Sequence, residues 1–294
     1  MMTDHLQTNQ EQRFISDEHP HVLAARALMA QPIADVPLVV FDVETTGLRA
    51  DKGDKIIEIA LHKIDPKLGP SQLTYVLNPG RSVSDEIYAL THISPEEVAS
   101  APCFVDIRAE IRAMLEGAVL VAHNAPFDLG FLGAEFAAHA ETPPIQPVID
   151  TLALAKGRFK FPNNKLTTIA AELGVPVSPD AHRAFADVDM TVKVLQIMIE
   201  RIREQGHAVQ TIKDLMSHSG SELLSVPTIS SALLHDIRAA LFTQSEFVFR
   251  YKKSGQKKPQ IRRIKVTSFD GIYAVGIDLD KGEERQFRVD RMSV

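Results

Sequence analysis

Residues 37–44 read PLVVFDVE, a near-continuous apolar run that closes on two carboxylates, Asp42 and Glu44. Such a run reads as a buried strand, and because side chains alternate along a strand, acids two positions apart leave the same face. Like charges about 4 Å apart repel by roughly 1 kcal/mol in water and about 4 kcal/mol at an effective dielectric of 20, so this pair needs a cation or protons. On its own the pattern also fits the solvated end of a strand.

The residues that follow place this strand in an α/β layout. Thr45, Thr46 and Gly47 read as a turn, 55–64 and 73–77 as two further strands, and 104–115 as an amphipathic helix leading into a strand at 118–122. Helices are expected at 125–138, at KLTTIAAELGV closed by Gly174, and at 185–203. Three strands followed by alternating helices and strands imply a mixed α/β sheet ending near Gly206. Upstream, residues 1–35 read as a polar tail and a short helix. Downstream, 206–227 reads as a linker. Residues 228–294 read as a helix near 229–242 and four short strands at 246–251, 261–267, 271–278 and 284–289, the signature of a small β-meander or barrel.

Two more acids and a histidine stand where they can join the first pair. In AHNAPFDLGFL, Asp128 opens a helix directly after a strand, a position that faces an open sheet end. In AHRAFADVD, Asp187 lies on the long helix five residues after His182; five residues span at most about 17 Å, so both can face one cleft. A loop histidine alone would carry no such meaning.

The segments FDVETTGL, HNAPFDLGFL and HRAFADV resemble, in order and spacing, the three motifs of the DnaQ-like, DEDDh-type 3′→5′ exonucleases. The resemblance covers about residues 36–203 of an expected domain at 36–205, with weaker echoes in IYALTHISPEEV, DTLALAK and KLTTIAAELGV. It implies a ribonuclease-H-like fold: a mixed five-stranded sheet with flanking helices, and Asp42 and Glu44 on its central strand. It also implies two Mg²⁺ or Mn²⁺ ions, with Asp42 bridging both, Glu44 and Asp187 completing the site of the nucleophilic water, Asp128 holding the second ion, and His182 as general base. All-oxygen ligands suit these ions better than zinc, and two such ions can bind the attacking and leaving oxygens of an in-line displacement. The implied product is a nucleoside 5′-monophosphate. By the same matching Thr45, Thr46 and Leu48 grip and wedge the terminal nucleotide, and His123, Asn124 and Phe127 lie beside the scissile end. Leu48 and Phe127 are equally compatible with core positions, and His123 and Asn124 with service to the turn. Asp150 and Asp189 read as structural acids.

The formal net charge of −6 looks wrong for a nucleic-acid partner until it is divided along the chain. Residues 206–294 hold 14 basic against 10 acidic residues, net +4, which leaves −10 for residues 1–205. The run RYKKSGQKKPQIRRIK at 250–265 has eight basic residues and no acid, and its alternation suggests a strand pair showing Arg250, Lys252, Lys253, Lys257, Lys258, Arg262 and Arg263 on one face while burying Phe249, Ile261 and Ile264 on the other. Tyr251 or Tyr273 could stack a base. Through IRAALFTQSEFVFRYKK, IYAVGID and ERQFRVDRM this region is similar to the WYL domain, with Ile272-Tyr273-Ala274 where the naming triplet stands. That likeness implies a small Sm-like β-barrel binding nucleic acid or a nucleotide-like ligand, with Arg262, Arg263, Arg285, Arg288 and Arg291 as contacts.

A single cysteine, Cys103, allows no internal disulfide and fits a reducing cytoplasm; no apolar run approaches a membrane span and the N-terminal residues lack a signal-peptide order. The expected partner is nucleic acid, single-stranded 3′ ends first and DNA before RNA. A polymerase or sliding clamp is unsupported: Gln210–Leu215 (QTIKDL) only loosely resembles a clamp-binding peptide. The alternative is a catalytically silent sensor working through its C-terminal domain. Intact carboxylates and His182 argue against it, since an inert fold has no reason to keep four repelling acids together.

Overall fold

The computed structural model describes residues 15–178, 182–220, 223–226, 228–252, 258–269 and 273–293. They form two compact units, one of residues 24–225 and one of residues 15–23 with 226–293. Among the described residues no helix is long and apolar enough to cross a membrane.

Strand β1 (Ile15–Ser16) and helix α1 (Pro20–Met29) come first. The larger unit continues with β2 (Leu38–Thr45), β3 (Ile56–Asp65), β4 (Gly69–Val76), α2 (Asp85–Thr91), α3 (Pro95–Ser100), α4 (Phe104–Leu115), β5 (Val119–Ala122) and α5 (Ala125–Ala138). It ends with β6 (Pro147–Asp150), α6 (Thr151–Arg158), α7 (Leu166–Leu173), α8 (Ala184–Glu204), α9 (Ile212–Ser217) and β7 (Leu223–Leu224). The strands build one mixed sheet in the order β4-β3-β2-β5-β6-β7, with β2 antiparallel to β3 and parallel to β5.

Both faces of β2 are covered, which is why its sequence shows no alternation before the acids. Val40 packs with Leu154 of α6, Ile169 of α7 and Val188 of α8 on one face. Val39, Phe41 and Val43 pack with Ile107 of α4 and Phe131 and Phe136 of α5 on the other. Asp42 and Glu44 share the parity of Val40 and so stand on the α8 face.

The sheet has six strands where five were expected. The sixth, β7, pairs antiparallel with β6 through Pro147↔Leu224 and Val148↔Leu223. Its edge is fixed by Ser225, whose hydroxyl donates to the Pro144 carbonyl (2.7 Å) and accepts from the Gln146 N–H (2.8 Å). The expected linker is therefore part of the larger unit. Thr211 and Asp214 form a capping box that starts α9, and Ile212, Leu215 and Met216 are buried in the core. Those same side chains are the ones a clamp-binding peptide would have to offer, so that likeness fails on burial.

In the smaller unit β1 runs parallel to β8 (Thr228–Ile229), and α10 (Ser231–Thr243) precedes β9 (Glu246–Tyr251), β10 (Gln260–Phe269), β11 (Tyr273–Asp278), β12 (Glu283–Arg288) and β13 (Met292–Ser293). The last five form an antiparallel sheet in the order β12-β11-β10-β9-β13. This order is open among the described residues, with β12 and β13 unpaired to each other, so the expected barrel is not closed here. Leu233, Ile237 and Ala240, spaced along one side of α10, meet Phe247, Phe249, Ile264, Val266 and Phe287 in one core. Ile261, expected in that core, is 63% exposed: it shares parity with Arg263 and Lys265, opposite to Ile264.

Candidate active site

The carboxylates converge at the C-terminal end of β2. A register shift follows Glu44, so the strand stops pairing regularly where the acids stand. Asp128, in the first turn of α5 and 2% exposed, accepts the Val43 N–H (3.2 Å) beyond the last pairing of β2 with β5. On the other side, Asp187 lies in the first turn of α8, just after the loop carrying His182. Ligand atoms of Glu44, His182 and Asp187 all lie within 4.8 Å of one another. His182 is exposed, with φ +74, a left-handed conformation unusual for a residue with a side chain.

The electrostatics report the same crowding. Burial first, and then the charges of Asp128, Asp187, Glu44 and Glu58, hold Asp42 well above the usual carboxylate range. Burial, then Asp187, Glu58 and Asp128, push Glu44 up to about 8, against a lowering by Arg183. Asp128 is raised chiefly by burial, and Asp187 by burial against the lowering effects of the His182 ring and backbone N–H. One Asp187 oxygen, Oδ1, is buried without a hydrogen-bond partner. Buried, repelling, all-oxygen donors with an unspent lone pair suit a hard dication.

A pH dependence follows. A carboxyl whose folded pKa is raised favours the folded state at low pH, and that contribution is lost as pH rises through the folded value. For Glu44 the window runs from its ordinary 4.5 to about 8. In chelator, the melting temperature should fall between pH 5 and 8, and Glu44→Gln should flatten the fall. A parent curve that is already flat would show that the acids do not repel as described.

The neighbouring candidates separate. Leu48 is 79% exposed, which removes it from the core and leaves it free to meet a base. The Thr45 hydroxyl donates to Gly47 O (2.6 Å) and the Thr46 hydroxyl accepts from the Lys55 N–H (3.0 Å), so both serve the turn first. A Cβ at Gly47 would crowd the Asp54 carboxylate, which accepts the Arg49 N–H, so a side chain there would have to push that acceptor aside. His123 is spent on structure: Nε2 faces the Asn164 carbonyl (3.0 Å) and so carries the proton, while Nδ1 meets the Thr151 hydroxyl (2.9 Å). Asn124, with φ +71 at the start of α5, donates its N–H to Asp150 Oδ1 (2.9 Å). Phe127 is half-buried, its ring 5.0 Å from Phe131. Asp150 also caps α6, and Asp189 pairs with Lys193 (2.6 Å).

Sequence reasoning missed Glu58 and Arg183. Glu58 stands opposite Glu44 on β3, is 1% exposed, and binds the Arg183 guanidinium (Nη2–Oε1 2.7 Å). The signal was an acid inside the apolar run IIEIAL; its partner, 125 residues away, was not legible.

In the smaller unit the basic surface is partly neutralised. Arg263 pairs with Glu246 (2.7 Å), and Arg285 with the buried Asp278 (3.4 Å). Tyr251 sits edge-on to Phe287 (5.2 Å) and half-buried, a core-rim position rather than a stacking platform. Arg250, Lys252 and Lys258 are exposed, whereas Lys253, Lys257 and Ile272 lie outside the described residues.

Comparison with known proteins identifies two matching regions. An exonuclease family model (RNase T) matches residues 39–195 and a WYL domain model matches residues 232–294. DNA polymerase III subunit epsilon of Treponema pallidum (strain Nichols) is 33% identical over 193 residues, 62% of this chain and 87% of that protein. DNA polymerase III PolC-type of Bacillus subtilis (strain 168) is 38% identical over 172 residues, 57% of this chain but only 12% of that protein. A solved structure of exonuclease I shares the fold with a TM-score of 0.52 at 12% identity, over 88% of this chain and 64% of that one. Because the exonuclease model spans more than half of its residues and all four converging acids, the chain belongs to the exonuclease family, as a DNA polymerase III epsilon-like phosphodiester hydrolase that also carries a WYL domain.

Proposed function

We propose that this chain is a 3′→5′ exonuclease acting on nucleic acid, DNA in preference to RNA, and releasing nucleoside 5′-monophosphates. The observation that carries the reading is the convergence of Asp42, Glu44, Asp128 and Asp187 beside His182 at the end of one strand. Asp42, Glu44, Asp128 and Asp187 would hold two Mg²⁺ or Mn²⁺ ions, and the partnerless Asp187 Oδ1 supports that fit. Such ions, when bound, supply charge stabilisation for the attacking and leaving oxygens and lower the pKa of a bound water.

The chain's own residues supply the rest. His182, exposed and within reach of Glu44 and Asp187, takes a proton onto a ring nitrogen as water attacks. Asp187, held by the His182 backbone, keeps the histidine and the carboxylates in one frame. Leu48 offers an apolar surface on which the terminal base can rest. Incubation with end-labelled single-stranded DNA, duplex DNA and RNA, in Mg²⁺, Mn²⁺ or chelator, tests class, polarity and substrate together. Internal cuts, or release of label from the 5′ end first, would sink the reading.

The WYL domain is read as a tether for the substrate strand, through Arg250, Lys252 and Lys258. Each lost phosphate contact should lower the log–log salt slope for single strands by about 0.7. Reversing these three charges in an Asp42→Asn background, which keeps the strand whole, should therefore flatten the slope by about 2. An unchanged slope in fluorescence anisotropy would assign the domain to a small ligand or a protein instead.

A further inference from the structure

We propose that Glu58 and Arg183 form a positioning pair that sets where His182 stands against Glu44 and Asp187, an assignment that rests on reading this cluster as an exonuclease site. Glu58 lies directly opposite Glu44 across the β2–β3 ladder, beside the register shift. Its carboxylate is spent on one junction of the chain: Arg183 Nε (3.0 Å) and Nη2 (2.7 Å) reach Oε1, and the Ala184 N–H reaches Oε2 (2.8 Å). Arg183 occupies the N-cap position of α8 and supplies no capping hydrogen bond of its own, so the sheet supplies an acceptor to the helix start through Glu58. His182 immediately precedes this junction and Asp187 follows it within the first turn of α8.

A purely structural need would not place an acid here. Glu58 adds a fifth negative charge beside four others, and it raises Asp42, Glu44 and Asp187. A well-packed apolar pair often serves stability as well as a buried ion pair or better. What the acid gives is direction: a planar guanidinium held by both its Nε and Nη2 edge has one orientation, and the N–H at the helix start fixes the next residue. The loop holding His182 at φ +74 is thereby tied to the strand that carries Asp42 and Glu44.

The test is a mutant cycle on the full chain, with kcat and KM measured on a labelled single-stranded oligonucleotide in Mn²⁺. Glu58→Gln should lower kcat about 10²-fold and leave KM within about twofold, because no contact to the bound strand is removed. Arg183→Lys, which cannot reproduce the fork, should lower kcat about tenfold and provides the same reading if Glu58→Gln does not fold. In a His182→Ala background either substitution should cost less than about threefold, since the group being positioned is already gone. Equal losses with and without His182, or an unchanged kcat, would reduce the pair to a structural ion pair and overturn its role. A His182→Ala protein as fast as the parent would instead overturn the reading of the site, and this pair's role with it.

Discussion

Asp42→Asn is expected to lower nuclease activity by about 10³-fold or more while raising the melting temperature of the protein in chelator. The two effects have one cause. Asp42 is the acid that all the others act upon, raised by burial and by Asp128, Asp187, Glu44 and Glu58 together. Replacing its carboxylate with an amide removes one charge from that set and relieves repulsion that no cation offsets in chelator. With cation present the balance reverses, because a central oxygen donor is lost and the charge stabilisation of the transition state, worth several kcal/mol, falls with it. Each 1.36 kcal/mol is tenfold in rate, so two or three lost contacts account for the drop. Thermal shift with and without Mn²⁺ should show the parent stabilised by the ion and the variant nearly indifferent to it. Parent-level cleavage by Asp42→Asn would remove these carboxylates from the chemistry.

What the sequence made legible was local and periodic. The parity of Asp42 and Glu44 followed from the two-residue repeat of a strand, and α4 and α5 fall at 104–115 and 125–138 as their apolar spacing predicts. What stayed hidden was decided across long sequence separations. A two-residue strand such as β7 has no period to read, and only its pairing with β6 makes it part of the sheet. The capping box at Thr211 reads as turn chemistry until Ile212 and Leu215 are seen buried. Glu58 reads as one acid among many until Arg183 arrives from 125 residues away. In the smaller unit Ile261 and Ile264 are three apart on one strand and cannot share a face, and which of them is buried was settled by the register of β10 against β9 and its packing on α10. The same register puts Arg263 within reach of Glu246, which turned an apparent run of free cations into a partly paired surface.

His182→Ala should slow hydrolysis by about 10²- to 10⁴-fold, the usual worth of a positioned general base. The histidine ring lies within 4.8 Å of the Glu44 and Asp187 oxygens, close enough to be either a base beside the carboxylates or a third donor to a cation they hold. Its exposure separates these roles, because a base must pass its proton to solvent after each turnover, and a side chain open to water can do so. The left-handed φ of +74 points the same way: a strained backbone persists where surrounding contacts over-determine it, and here Asp187 and the Glu58–Arg183 junction do so on the residues that follow. If His182 is the base, the alanine variant keeps the parent's Mn²⁺ midpoint in thermal shift and recovers part of its rate as pH rises, hydroxide taking over the proton's removal. If it is a donor to the cation, the Mn²⁺ midpoint moves to higher concentration and added metal restores the rate. Titrating Mn²⁺ at two pH values on the parent and the variant reads both outcomes from the same samples, and a shifted midpoint with no recovery at high pH would take the base assignment away from His182.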